Sequence, residues 1–87
     1  MWDSNKILRS SCHRKILKVL SKEKELPIMK LVQITNSSYN EVNRNLRILE
    51  EQEIILEHYL GHKRIIALNL ENEKTSRLLA ILKFIDA

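Results

Sequence analysis

Four side chains in one short segment carry the most distinctive chemistry of this sequence: Asn40, Asn43, Arg44 and Arg47. With Val42 set at zero and ~100° per residue around a helix, they fall at about 160°, 100°, 200° and 140°. Leu46 and Leu49 fall within about 40° of Val42 on the other side. Two amides and two guanidiniums thus share the face opposite an aliphatic ridge. Such groups match base edges, because Arg pairs in two-point fashion with guanine O6/N7 and Asn with adenine N6/N7. Just ahead, Ser37, Ser38 and Tyr39 bring hydroxyls and helix N-terminal N–H groups to where a phosphate binds. A plain solvated face would alternate acids with bases, and this one has only Glu51 as an acid.

The elements that must hold this face can be read from spacing. Ser10 or Ser11 caps a first helix beginning at Cys12, with Cys12, Ile16, Val19 and Leu20 recurring at helical spacing and His13, Lys15 and Lys18 off that stripe. Trp2 to Arg9 suits a short helix continuous with it. Pro27 suits the first turn of a second helix through Met29, Leu31, Val32 and Ile34, and Asn36 suits its left-handed end. Ser38 and Glu41, three apart, make a capping box for the third helix, which ends near Gln52. After Glu53 the period changes. Ile54–Leu60 and Arg64–Leu70 are aliphatic and β-branched, and Gly61-His62 between them suits a two-residue type II′ hairpin. A short strand near Glu25-Leu26 adds a third strand. A last helix, capped by Asn72 or nearby, carries Leu78, Ile81, Leu82 and Ile85, widened by Leu79 and Phe84.

Composition narrows the function classes. Eighty-seven residues support one domain with one modest core, in which few substrate-enclosing enzymes fit. The single cysteine, Cys12, excludes an intramolecular disulfide and a cysteine-based zinc finger. One glycine and one proline leave no phosphate-cradling loop and no flexible linker. No apolar run reaches the length of a membrane span, and no signal peptide is expected. The net charge is +4, but its distribution says more. Lys6, Arg9, Arg14, Lys15, Lys18 and Lys22 lie between Ser4 and Lys22 with no acid among them, which suggests a polyanionic partner as readily as a solvated face.

Other chemistry is weaker. His58 and His62 flank the hairpin and Cys12-His13 sits at a helix start, but no paired motif makes a metal site. Cys12 reads as a small buried hydrophobe. No nucleophile, base and orienting group stand together, so no enzyme, metal or cofactor is expected.

The segment from Leu31 to Glu51, LVQITNSSYNEVNRNLRILEE, resembles the helix-turn-helix of winged-helix transcription regulators. The closest style is the arsenic-repressor-like and MarR-like groups, particularly archaeal ones. Ser38 stands where that family opens its recognition helix, Val42 where it has a valine, and Leu46 and Leu49 where leucines recur. Arg64–Leu70 resembles the second wing strand, and the similarity runs from Ile7 to about Ile85. The chain departs from the family at Val32, often a small residue, at Asn36 and Glu53, often glycines, and at Ser37, usually aliphatic.

The resemblance implies an α+β fold, mainly α with a small β-hairpin: a winged helix-turn-helix with a three-helix core, a wing and a C-terminal helix. One domain spans 1–87, with the helix-turn-helix at about 28–52, the wing at about 54–70 and a dimerisation helix at about 72–86. It implies a DNA-binding transcription regulator. Asn40, Asn43, Arg44 and Arg47 would read bases in the major groove of double-stranded DNA. Ser38 and Tyr39, with Lys63 and Arg64 beside His62 at the wing tip, would hold the backbone or enter the minor groove. Metal-sensing relatives use Cys or His clusters that this chain lacks. The last helix, with Trp2 and Ile7 as further contributors, carries more apolar surface than one small core needs and suits a homodimer. The setting expected is cytoplasmic and nucleoid-associated, with no membrane. The rival readings are a winged-helix protein-interaction module and a non-specific architectural chromatin protein.

Overall fold

The computed structural model describes residues 10–85, with the side chain of Ile85 excepted. The expectations for Trp2 to Arg9 and for the Ile85 side chain lie outside the described residues. The chain runs α1 (Ser11–Glu23), β1 (Glu25–Pro27), α2 (Ile28–Thr35), α3 (Tyr39–Glu51), β2 (Ile55–Leu60), β3 (Lys63–Leu68) and α4 (Glu73–Ile85). The three strands form an antiparallel sheet in the order β1-β3-β2. The helix order, the hairpin and the short third strand all stand as the sequence spacing predicts.

Local chemistry sets the boundaries. Ser10 caps α1 by accepting from the His13 N–H at 3.3 Å, and Ser38 caps α3 by accepting from the Glu41 N–H at 3.1 Å. Pro27 differs from its expected place: it ends β1, with extended backbone, and stands just before α2 rather than inside its first turn. Its missing N–H is tolerated there because it ends a short strand, paired only with β3.

Two helices end in the same way without glycine. Asn36, at φ 54°, closes α2 with its N–H on Gln33 O and the Ser37 N–H on Val32 O. Glu53, at φ 59°, closes α3 with its N–H on Glu50 O and the Ile54 N–H on Leu49 O. Each pair of bonds is a Schellman motif, and at α3 it sends Ile54 into the core beside Leu49. Both residues stand where winged-helix regulators often have glycine.

The core is aliphatic. Ile16, Leu17 and Leu20 of α1 pack with Leu31 of α2, Val42, Leu46 and Leu49 of α3, Ile54, Ile55 and Ile66 of the hairpin, and Leu78 and Leu82 of α4. The first helix corrects the expected stripe. His13 and Leu17 are buried with Cys12, Ile16 and Leu20, while Val19 is only partly buried. His13 goes inward because its Nε2–H donates to the main-chain oxygen of Asn45 at 3.1 Å; a carbonyl can only accept. In α2, Met29 and Ile34 are exposed and Leu31 alone of the expected residues is fully buried. In α4 the expected stripe splits: Leu78 and Leu82 face the core, whereas Ile81 and Phe84 face solvent.

Candidate nucleic-acid interface

The outer face of α3 is held from three directions. Below it, Val42, Leu46 and Leu49 have no exposed surface. At its middle, the buried Asn45 donates to Glu41 O at 2.7 Å, lies 3.5 Å from the Ser10 hydroxyl, and takes the His13 bond on its own carbonyl. At its end, the carbonyls of Gln52 and Glu53, which close α3, meet two asparagine amides. Asn72 Nδ2 donates to Gln52 O and Glu53 O at 3.1 and 2.8 Å, and Asn69 Nδ2 donates to Glu53 O at 2.9 Å. Asn72 also caps α4, its Oδ1 accepting from the Lys74 N–H at 3.0 Å. The helix therefore cannot roll without breaking bonds to α1 and to the start of α4.

On this fixed cylinder Asn40, Arg44 and Arg47 are exposed and Asn43 is half-buried. Ser38 and Tyr39 are exposed at the N-terminal end, where Ser38 serves as the cap while its hydroxyl proton stays available to an acceptor. None of these groups is sunk in the interior.

The wing is a six-residue pair of strands closed by Gly61-His62, with Leu60 opposite Lys63. Gly61 has φ +62° and His62 does not share the positive φ, as a hairpin with glycine at the first central position requires. His62 and Lys63 are exposed at the tip. Period-two alternation puts Ile55, Glu57 and Tyr59 on one face with Arg64, Ile66 and Leu68. The inner members of that face enter the core. The outer members, Glu57, Tyr59 and Arg64, reach beyond it towards α3.

Arg64 thereby stands apart from the other candidate cations. Its Nη2 donates to Glu57 at 2.8 Å with Nε 2.7 Å from the other carboxylate oxygen as an ion pair, and its Nη1 donates to Asn43 Oδ1 at 2.6 Å, with the Tyr39 hydroxyl at 3.5 Å. The Arg64 bond is the main force holding the Glu57 carboxyl below its usual range, and the same pairing pushes the Arg64 guanidinium up. Arg64 ties the wing to α3 and is half-buried, whereas Lys63 beside it projects freely into solvent.

Between α3 and the wing lies an open polar cavity of about 420 Å³, where Arg47 and Arg64 meet Glu50 and Glu57. A second groove of about 630 Å³ runs from the start of α2 to the wing tip, with Lys30 and Gln33 facing Tyr59 and Lys63 across it. Glu57 and Lys30 were not singled out as site residues from sequence. The hairpin register contains the signal for Glu57, because Leu60 opposite Lys63 places Tyr59 opposite Arg64 and Glu57 diagonal to it. Among the described residues no three His, Cys, Asp or Glu side chains gather to hold a metal ion, and no helix is long and apolar enough to cross a membrane.

These features define a winged helix-turn-helix fold. No sequence-family model matches the chain, and no curated protein does. Solved structures do match. The chain superposes with TM-score 0.77 on the AntR antimony-specific transcriptional repressor, at 18 % identity, covering 95 % of this chain and 74 % of that one. The homodimeric winged helix-turn-helix DNA-binding domain of a possible ArsR-family regulator from Mycobacterium bovis gives TM-score 0.76 at 18 % identity, over 95 % and 74 %. The transcriptional repressor PagR of Bacillus anthracis gives 0.72 at 21 %, over 94 % and 87 %. A MarR-family regulator from Silicibacter pomeroyi is also similar, with TM-score 0.71. The structures named here are transcription regulators, and what this chain shares with them is the winged helix-turn-helix fold.

Proposed function

We propose that this chain is a single DNA-binding domain, spanning 1–87, that acts as a transcription regulator on double-stranded DNA. The observation that carries the reading is the outer face of α3, where exposed Asn40, Arg44 and Arg47 stand opposite fully buried Val42, Leu46 and Leu49. A rigid helix of this kind fits the major groove, with its N-terminal residues towards the bases. Arg44 and Arg47 supply guanidinium forks for guanine, and Asn40 and Asn43 supply amides. Ser38 and Tyr39 at the helix start, and His62 and Lys63 at the wing tip, hold phosphates; Arg64 supports the wing against α3.

The chain acts as a homodimer through α4. Ile81 is 37 % and Phe84 87 % exposed on that helix, a surplus that a second copy would cover. The Mycobacterium bovis neighbour is a homodimer, which supports the same arrangement here. A two-fold pair would set two α3 helices about 34 Å apart and call for a palindromic site. A DNA-binding regulator of this kind works in the cytoplasm, in association with the nucleoid.

Affinity of the full chain for duplex DNA, measured against salt, tests the reading. Binding that falls steeply as salt rises is expected from released counterions, and a flat dependence would remove the phosphate contacts. Sedimentation in the same buffers is expected to give a dimer, and a monomer at binding concentrations would remove the palindromic geometry.

A further inference from the structure

Resting on the DNA-reading function proposed above, we infer that Arg64 is a positioning residue that sets base preference by fixing the Asn43 amide as a donor. A guanidinium carries only N–H groups, so the Asn43 atom 2.6 Å from Arg64 Nη1 is the carbonyl Oδ1. The amide is planar, and with Oδ1 drawn to the wing its Nδ2 is the terminus left for DNA. An asparagine matches adenine through both termini, Oδ1 taking a proton from N6 and Nδ2 giving one to N7. In this chain one of the two Oδ1 lone pairs is already taken by a cation, and that bond turns Oδ1 towards the wing.

The commitment is firm because Arg64 is itself anchored. Its Nη2 donates to one oxygen of Glu57 and its Nε lies 2.7 Å from the other as an ion pair, so the guanidinium is held in place. What Asn43 then offers the groove is an NH₂ group. Guanine N7 and O6 are adjacent acceptors and suit it, whereas the N6 amino group of adenine would meet it donor to donor. The base pair under Asn43 is accordingly guanine-preferring, although an asparagine in isolation suits adenine.

Selection of bound sites from a random duplex pool, with the full chain and its variants, tests this. Asn43→Ala identifies the position read by this residue as the one that loses its preference. In the wild type that position is expected to favour guanine over adenine by roughly fivefold or more, the discrimination of one good base contact. Arg64→Ala frees Oδ1 and is expected to move that position towards adenine, leaving the positions set by Arg44 and Arg47 unchanged. Arg64→Lys keeps the charge but loses the planar fork that spans Glu57 and Asn43, so it is expected to shift the same position; it also separates orientation from lost charge and serves if Arg64→Ala melts. Adenine already preferred in the wild type, or an unchanged preference in the Arg64 variants, would overturn the inference alone. So would a motif with Arg44- and Arg47-dependent positions but none dependent on Asn43. A wild-type chain that enriches no motif would overturn the base-reading function itself, and this inference with it.

Discussion

His13 of α1 donates its Nε2–H to the main-chain oxygen of Asn45 at 3.1 Å, joining the first helix to the middle of α3 through a buried bond. The imidazole is 3 % exposed, so it fills space as well as bonding. His13→Ala is expected to lower stability by on the order of 2–3 kcal/mol, from a lost hydrogen bond and a cavity together. Lys15→Ala, an exposed change on the same helix, is expected to stay within about 0.5 kcal/mol. Urea denaturation followed by circular dichroism checks both.

Asn72 is a two-ended cap. Its amide nitrogen closes the carbonyl end of α3 while its amide oxygen closes the N–H end of α4. Asn72→Asp keeps the oxygen and removes the donor, so it isolates the α3 half. It is expected to cost about 1–2 kcal/mol in thermal or urea unfolding, since a carboxylate also faces the carbonyl end of a helix. Asn72→Ala removes both ends and is expected to cost at least as much.

Backbone conformation gives a pair of opposite effects. Glu53 has φ 59° without being glycine, a geometry that costs roughly 1–2 kcal/mol for a side-chain-bearing residue. Glu53→Gly relieves it, less the added freedom of the unfolded chain, for an expected gain of about 0.5–1 kcal/mol. Gly61 has φ +62°, and a Cβ there would meet no atom within 4 Å. Gly61→Ala is therefore expected to cost about 1–2 kcal/mol from backbone strain alone. Melting curves of the two variants should move in opposite directions.

The wing clamp has a pH signature with a definite sign. Glu57 is held below its ordinary pKa, first by its hydrogen bond from Arg64, while Arg64 remains charged throughout. Its stabilising contribution is complete above the ordinary glutamate range and disappears as the pH falls through the depressed value. Glu57→Gln lacks this titration. The stability difference between wild type and Glu57→Gln is expected to be constant near neutrality and to narrow in acid; a difference that widens in acid would contradict the clamp.

Much of this architecture was legible in the residues. The capping serine at 38, the Val42-Leu46-Leu49 ridge, the left-handed Asn36 and the lone glycine each specify a local geometry that the structure adopts. The short third strand near Glu25-Leu26 was expected too, and it pairs with β3. His13 was not, since helical spacing alone cannot tell that a polar ring has a carbonyl to meet across 32 residues of chain. Nor does one helical wheel divide α4 correctly: Ile81 and Leu82 are equally apolar, and only the position of α1 decides which is buried. On α3 the wheel placed all four candidate side chains opposite the ridge. It could not reveal that Glu57, from another element, would claim Arg64 and through it Asn43.

The most direct measurement of the central claim is the affinity of Arg44→Ala and Arg47→Ala for a selected duplex, at fixed salt, beside the wild type. Each change is expected to weaken binding by about 1–3 kcal/mol and relax the sequence preference at one base pair, with the melting temperature nearly unchanged. Wild-type affinity in both variants would contradict a base-reading role for the outer face of α3.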